Sequence, residues 1–175
     1  MESRATESHP RDDRKIARLT AILEASLDRN LAWVGAADAK TAVIFGLDTA
    51  MIGLIAAAAP AYGKWTALGV CFTVVAAALL IASLASLCAA VFPRTKGPPL
   101  SLIFFGGIAD RSVDKYREDV SRFDEEAYIE DLIQQTYVNA SIAGAKYRWV
   151  KWASTLLYLS IIPWLPALYI LFRDR

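Results

Sequence analysis

Asp48 is the residue of this sequence best placed to do chemistry, because it is the one ionisable side chain deep within an apolar segment, TAVIFGLDTAMIGLIAAAA. A charge inside a membrane costs at least about 2.5 kcal/mol, so such a carboxyl should face protein, water or a neighbouring subunit. It could serve as a membrane gate or as a proton or ion position. It could equally be satisfied within the protein by the hydroxyl of Ser83, Ser86 or Tyr158.

A second candidate is the glycine pair Gly106 and Gly107 in the segment IFFGGIAD. Glycines allow a close approach of the backbone, either to a ligand phosphate or simply to another helix. No GK[ST] follows the pair, so it is not a phosphate-binding P-loop. The spacing alone does not decide whether the glycine pair forms a structural turn or contacts a ligand.

Several classes of function lack the residues they need. His9 is the only histidine, so a Ser/His/Asp triad has no base and a His/Cys metal site has too few ligands. Cys71 and Cys88 share one apolar segment and, if it is helical, lie about 25 Å apart along its axis, too far for a disulfide. The net charge of +1 gives no argument for nucleic acid. We therefore expect no enzyme, no metal, no cofactor and no nucleic-acid partner.

The elements that must position these residues are membrane spans. Hydrophobic residues make up 55% of the chain, above the usual 45–50% or so of soluble domains, and three segments concentrate them. Since about 20 apolar residues cross a bilayer, we predict spans at 41–59, 65–92 and 152–172. The link PAYGK makes the first two an antiparallel hairpin. Pro163 removes a backbone donor within the third, which leaves an interfacial or re-entrant segment as the alternative to a full crossing.

Lysine and arginine predict the orientation of these spans. They are numerous before the first span and in residues 93–151, whereas the hairpin loop holds only Lys64. Because positive charge accumulates on the cytoplasmic side, we expect the N-terminus and residues 93–151 to face the cytoplasm.

The cytoplasmic parts are predicted to be helical. Residues 1–12 indicate a disordered lead, 13–40 an amphipathic helix and 173–175 a short tail. In 93–151, Ser112 is placed to cap one helix and the acids from Asp124 begin a longer one. The apolar stripes of the two long helices favour their packing on each other. The sequence thus predicts an all-α membrane protein, with a transmembrane hairpin, a third span and cytoplasmic helices.

Small residues form a seam on each span of the hairpin, where helices can approach closely. The seams are Gly46, Ala50, Gly53 and Ala57 on the first span and Ala78, Ala82, Ala85 and Ala89 on the second. Asp48 lies about 200° around the helix from Gly46. If the seams pack the hairpin, Asp48 faces a second interface, which favours oligomerisation.

The order of several short motifs resembles the transmembrane effectors of Pycsar antiphage systems. ADAKTAVIFGLDTAMIGL enters the first span, the second ends at FPR, LIFFGGIADRSVDKYREDV follows, and IQQTYVNASIAGAKYRWVKWASTLLYL leads into the last. An Asp-x-Lys entry, a Phe-Gly segment and a Lys-Tyr pair recur in those effectors. The resemblance covers residues 30–160 and matches Asp38, Lys40, Phe105, Gly106, Lys146 and Tyr147.

The resemblance implies a function. Such effectors receive a cyclic pyrimidine nucleotide, cCMP or cUMP, from a partner pyrimidine cyclase during phage infection, and then compromise the bacterial inner membrane so that the cell dies or stops growing. A homo-oligomer in the lipid bilayer is the expected form.

The matched residues offer the chemistry that such a ligand needs. Lys40 or Lys146 could pair with the phosphate, and backbone N–H groups of Gly106 and the neighbouring Gly107 could add donors. Phe104, Phe105 or Tyr147 could stack on the base. Asp38 and Lys40 are also typical of a boundary acid beside a snorkelling lysine. The alternatives to this function are an ungated channel at Asp48 and a structural or sensor subunit that docks a protein.

Overall fold

The computed structural model describes residues 10–61, 64–92, 97–98 and 101–173, and the regular structure in these residues is entirely helical. The helices are α1 Pro10–Ala58, α2 Ala67–Val91, α3 Phe105–Ala109, α4 Val113–Ser121 and α5 Glu125–Arg173. Helices α1, α2 and α5 each contain a stretch long and apolar enough to cross a membrane. The prediction of an all-α membrane protein with a hairpin and a third span is therefore confirmed.

Helix α1 begins earlier than the sequence predicted. It starts at Pro10 rather than at residue 13, which is compatible with the fixed φ of proline and its missing N–H at a first helical position. Residues 10–12 are thus helical, whereas residues 1–9 of the predicted disordered lead lie outside the described residues. At the other end of the chain, α5 continues through Pro163 and Pro166 to Arg173, so the third apolar segment is one unbroken helix.

Side-chain caps fix the starts of the later helices. Ser112 accepts a hydrogen bond of 3.2 Å from the Lys115 N–H at the start of α4, as predicted. Asp124 accepts one of 2.9 Å from the Ala127 N–H at the start of α5. Both caps satisfy backbone donors that a helix cannot pair internally.

The chain divides into two compact units. Met1–Trp33 and Arg94–Ile142 form one, which we call the polar unit, and Val34–Pro93 and Ala143–Arg175 form the other, which we call the membrane unit. Helices α1 and α5, each of 49 residues, contribute to both units. The two long helices are therefore shared between the polar and the apolar parts of the fold.

The core of the membrane unit is built from α1, α2 and α5. Its buried members are Ile44, Leu80, Leu87, Ala90, Val150, Ala153 and Leu157. The indole N–H of Trp164 on α5 donates a 3.1 Å hydrogen bond to the carbonyl oxygen of Met51 on α1. The third apolar segment thus packs directly on the predicted hairpin.

The small-residue seams do not pack the two spans of the hairpin against each other within the chain. All four seam residues of α1, Gly46, Ala50, Gly53 and Ala57, are exposed, and none of the four seam alanines of α2 is buried. A Cβ added at Gly46 or Gly53 would meet nothing within 4 Å. The opposite face of α1, which carries Ile44 and Asp48, is buried instead. Burial of larger side chains, and hydrogen bonding of a carboxyl that lipid cannot solvate, outweigh the close approach that small residues permit.

The polar unit contains α3, α4, the N-terminal part of α1 and the first part of α5. The Tyr128 hydroxyl on α5 donates a 2.7 Å hydrogen bond to Glu24 on α1, so the two long helices pack on each other here, as their stripes predicted. Leu19 and Leu31, which belong to the apolar stripe of α1, are nevertheless 43% and 49% exposed. The stripe on α1 is therefore only partly covered within the unit.

Candidate functional site

Four of the seven predicted ligand residues meet in the membrane unit, where α1 passes α5. The Lys146 ammonium forms an ion pair with the Asp38 carboxylate, and the Lys40 ammonium lies 5.1 Å from the centre of the Tyr147 ring. The side chain of Lys146 is 13% exposed, whereas that of Asp38 is 49% exposed. These two contacts cross-link the helices through one ion pair and one cation–π interaction.

This cross-link borders an apolar groove of about 760 Å³ between α1 and α2. Asp38 and Lys146 line its polar end, and side chains such as Phe45 and Phe92 line the remainder. The predicted role of Lys146 in pairing a phosphate would require the phosphate to compete with Asp38, which already neutralises the ammonium. The roles of the four residues in ligand binding stay predictions.

The other three predicted residues, Phe105, Gly106 and Gly107, belong to α3 in the polar unit. Phe105 is 65% exposed, and its ring packs on that of Phe104 with centroids 4.6 Å apart. A Cβ at Gly107 would lie 2.5 Å from the carbonyl oxygen of Ser101, and one at Gly106 would lie 2.6 Å from the Phe104 ring. Gly107 is thus required for close packing against the backbone of Ser101, and Gly106 packs against the Phe104 side chain. Close packing within the protein was one of the two interpretations of the sequence.

Ser101 is the centre of a buried polar cluster that the sequence analysis missed. Its hydroxyl donates to Asp131 Oδ2 at 3.0 Å and accepts from the Gln135 amide at 2.9 Å and from the Phe104 backbone N–H at 2.9 Å. The backbone N–H of Leu102 donates to the same Asp131 oxygen at 2.9 Å. The segment that precedes α3 is therefore fastened to α5 by side chains one helical turn apart.

A detectable signal for this cluster existed in the sequence. Asp131 and Gln135 are four residues apart, and thus on one face of a helix, and they flank the apolar Leu132 in the stripe of α5. Polar residues at buried positions of a helix are usually hydrogen-bonded. Their partner, Ser101, lies 30 residues away from Asp131 and could not be assigned from periodicity.

Arg111 holds the other side of this segment. Its Nη1 donates to the carbonyl oxygens of Ser101 and Gly107 at 2.8 and 2.6 Å, while its Nε lies 3.1 Å from Asp119. Lys115 also pairs with Asp119, at 2.9 Å. The hydrogen bond from Lys115, with the positive charge of Arg111 beside it, holds the pKa of Asp119 below its ordinary value of 3.8. The hydrogen bond to Asp119 in turn raises the pKa of Lys115 above 10.5.

A cavity of about 420 Å³ opens beside this cluster, entirely within the polar unit. Ser101, Arg111 and Asp131 line it on one side, and Phe123 and Gln134 contribute an aromatic ring and an amide. Only 7% of Asp131 is exposed, and its Oδ1 has no hydrogen-bond partner among the described residues. The cavity therefore combines the cation of Arg111 and the ring of Phe123 with three carboxylates, those of Asp119, Glu130 and Asp131.

Asp48 lies in the core of the membrane unit and is fully buried. The Ser83 hydroxyl lies 2.7 Å from its Oδ2, so the interpretation that a hydroxyl of the protein satisfies this carboxyl is confirmed with Ser83. The inference that Asp48 faces a second interface is wrong, because Asp48 is fully buried within the chain. A gating role for Asp48 stays a prediction.

The described residues contain no group of three or more His, Cys, Asp and Glu side chains that could hold a metal ion. What the polar unit offers is hydrogen bonding, charge and stacking, which suit reversible binding of a small polar ligand.

The chain was compared with known proteins. No curated protein and no solved structure shows a significant match to it. The sequence model of the Pycsar effector protein domain, PycTM, matches residues 22–173. This match covers all of α2, α3, α4 and α5 and most of α1, and hence both compact units. The chain therefore belongs to the Pycsar effector family, whose members act in antiphage defence.

Proposed function

We propose that this effector is activated by a cyclic pyrimidine nucleotide, cCMP or cUMP, and that activation impairs the integrity of the bacterial inner membrane. The observation that carries the proposal is the sharing of α1 and α5 between the two units. One unit has a charged, partly aromatic cavity, and the other has the apolar helices. A ligand that changes the packing of the polar unit would thereby act on helices that also form the spans.

The proposal includes a setting in the cell. The N-terminus and the polar unit face the cytoplasm, where a separate pyrimidine cyclase makes the nucleotide. The protein acts as a homo-oligomer without enzymatic activity of its own, and the infected cell stops growing before phage are released. The basic residues of the N-terminal stretch and of 93–151 support this orientation.

Activation is a shift between a closed and a leaky packing of the spans. A ligand shifts such an equilibrium only by its differential affinity for the two states. Moving the population from 1:99 to 99:1 requires about 5.5 kcal/mol of such difference. The nucleotide must therefore bind the leaky state roughly 10⁴-fold more tightly than the closed state for a full switch.

The test is leakage from liposomes that contain the purified full chain and an enclosed fluorescent dye. We expect cCMP or cUMP to start leakage, and we expect cAMP, cGMP and protein-free liposomes to give none. Leakage of equal rate without nucleotide would indicate an ungated channel and would overturn the proposal. The absence of leakage with every nucleotide would overturn it as well and would favour a structural or sensor subunit.

Orientation is tested separately in cells. A reporter fused before residue 10 and one inserted in the loop between α1 and α2 should report opposite sides of the inner membrane. A cytoplasmic signal from the loop insertion would contradict the proposed orientation.

A further inference from the structure

Two grooves flank α1 in the membrane unit, and they differ in charge. The groove between α1 and α2 has Lys146 at its polar end, where an ion pair with Asp38 neutralises it. The second groove, of about 380 Å³, lies between α1 and α5, and Lys40 is the charged residue that lines it. The Lys40 ammonium lies 5.1 Å from the centre of the Tyr147 ring and makes no ion pair among the described residues. The ring attracts this cation but does not neutralise its charge.

Lys151 adds a second positive charge on this side of α5. It lies four residues after Tyr147 and three before Ser154, which lines the groove, so the three residues share one face of the helix. Lys151 is exposed and also makes no ion pair among the described residues. The described part of the membrane unit holds two carboxylates: Asp38 is already in an ion pair, and Asp48 is fully buried. The unit itself therefore supplies no counter-ion to the cations beside this groove.

These cations lie at the level of lipid headgroups. Trp149 and Trp152 of α5 are 41% and 61% exposed, and exposed tryptophans are typical of the boundary between lipid tails and headgroups. Lysine side chains at such a boundary extend their ammonium groups towards the headgroups. The ammonium groups of Lys40 and Lys151 are therefore within reach of a lipid phosphate.

The walls of the groove suit an acyl chain. Val43 and Val150 line it with aliphatic side chains, and Tyr158 lines its end deeper in the span. Tyr147, which marks the level of Lys40, precedes Tyr158 by eleven residues, or about 16 Å along the helix axis. One leaflet of the hydrocarbon core is about 15 Å thick. The groove thus extends from the headgroup level into the hydrocarbon of one leaflet.

We infer that this groove binds an anionic phospholipid of the surrounding bilayer, with Lys40 and Lys151 at the headgroup phosphate and an acyl chain along the aliphatic wall. The lipid belongs to the leaflet at this end of the spans, which is the cytoplasmic leaflet in the proposed orientation. Basic pockets between membrane helices on that side are typical sites for anionic headgroups. The inference goes beyond the proposed function, because it requires no nucleotide, and it assigns Lys40 to a lipid phosphate.

The test is native mass spectrometry of the purified full chain in detergent. The chain is titrated with phosphatidylglycerol, which is anionic, or with phosphatidylcholine that has the same acyl chains but carries its own ammonium group. Each lysine near an anionic headgroup contributes about 1 kcal/mol, which is roughly fivefold in affinity. With two lysines, we expect phosphatidylglycerol to bind the wild type at least about tenfold more tightly than phosphatidylcholine. Equal affinities for the two lipids would overturn the inference.

Single substitutions locate the site. Lys40→Met and Lys151→Gln each remove one cation and should lower the affinity for phosphatidylglycerol by about fivefold. The affinity for phosphatidylcholine should change by less than about twofold. Lys40→Arg keeps the charge and the contact with the Tyr147 ring, so it should retain the preference of the wild type.

Arg148→Gln is the matched control. It removes a cation at the same level, but Arg148 lies about 100° around α5 from Tyr147 and does not line the groove. The preference for phosphatidylglycerol should stay within about twofold of the wild type. A loss as large as that in Lys40→Met would indicate a diffuse field of positive charge and would overturn the inference.

Lys151→Gln keeps the inference testable if Lys40→Met does not fold, because the Lys151 side chain is exposed. Lower affinity of Lys40→Met for cCMP or cUMP, with an unchanged lipid preference, would assign Lys40 to the nucleotide phosphate and overturn the inference. The lipid titration contains no nucleotide. Failure of the nucleotides to start leakage would therefore refute the proposed function without changing the expected lipid preference, so the two failures are distinguishable.

Discussion

The Ser83 hydroxyl lies 2.7 Å from Asp48 Oδ2 and 3.0 Å from the carbonyl oxygen of Ala153. A hydroxyl has only one proton, so it cannot donate to both oxygens at once. Both hydrogen bonds form together when Asp48 carries a proton and donates to Ser83, which then donates to Ala153. This arrangement connects α1, α2 and α5 through one serine, and it leaves no net charge in the apolar core.

The first prediction follows from this chain of hydrogen bonds. Asp48→Asn keeps a donor for Ser83 and should change the free energy of unfolding by less than about 1 kcal/mol. Asp48→Ala leaves Ser83 without this partner and opens a cavity, which should cost about 2–3 kcal/mol. Thermal unfolding of the purified chain in detergent measures both effects.

Thr49→Ala is the control for the Asp48 variants. The Thr49 hydroxyl is exposed and bonds only within its own helix, to the Phe45 carbonyl oxygen at 2.7 Å, so its removal should have little effect. Equal destabilisation by Asp48→Asn and Asp48→Ala would show that the charge of Asp48, and not its hydrogen bond, stabilises the core.

The helices and caps of this fold could be predicted from local patterns, whereas the faces that pack together could not. The apolar segments and the cap at Ser112 depend on residues close in sequence. The choice of buried face on α1 depends on Ser83, 35 residues from Asp48. Small residues at helical spacing permit close packing in lipid but do not require it, and here α1 buries its other face.

The candidate site, too, could be predicted from the sequence only in part. The pairing of Asp38 and Lys40 with Lys146 and Tyr147 brings together motifs that were noticed separately along the sequence. Asp131 escaped notice because it is one acid in a helix rich in acids at its start, and only its tertiary partners distinguish it from a solvated residue.

The second prediction concerns the ion pair between Asp38 and Lys146. Because Asp38 is half exposed, solvent screens the interaction, and its coupling free energy should be about 0.2–1 kcal/mol. A double-mutant cycle with Asp38→Asn and Lys146→Met, followed by unfolding in detergent, measures this coupling. A value indistinguishable from zero at low salt would show that the pair does not hold α1 to α5.

The third prediction contrasts two glycines. Gly107→Ala places a methyl group 2.5 Å from the carbonyl oxygen of Ser101, a backbone atom fixed by its hydrogen bond from Arg111. The overpacking should cost about 1–3 kcal/mol. Gly46→Ala meets nothing within 4 Å and should be neutral or slightly stabilising, because alanine favours a helix over glycine. Equal stability of the two variants would contradict the close packing of α3 on Ser101.

The fourth prediction concerns pH. The pKa of Asp119 is lowered in the folded protein by its hydrogen bond to Lys115, so its contribution to stability is present above its unfolded pKa of 3.8 and is lost as the pH falls through the lower folded value. The pKa of Lys115 is raised, so its contribution is present below 10.5 and is lost as the pH rises through the higher folded value. Between these limits the contribution of the pair is constant.

Asp119→Asn isolates this contribution. The stability difference between the wild type and Asp119→Asn should be constant from about pH 5 to 9 and should shrink below pH 3.8. Since both partners are partly exposed, the difference should also fall as salt screens the charges. Asp114→Asn is the matched control, because the Asp114 side chain is 92% exposed and lies on the same helix. If the stability difference for Asp119→Asn grew towards acid pH, the prediction would be contradicted. That result would mean that the folded protein is stabilised by the protonated form of Asp119 and not by its carboxylate.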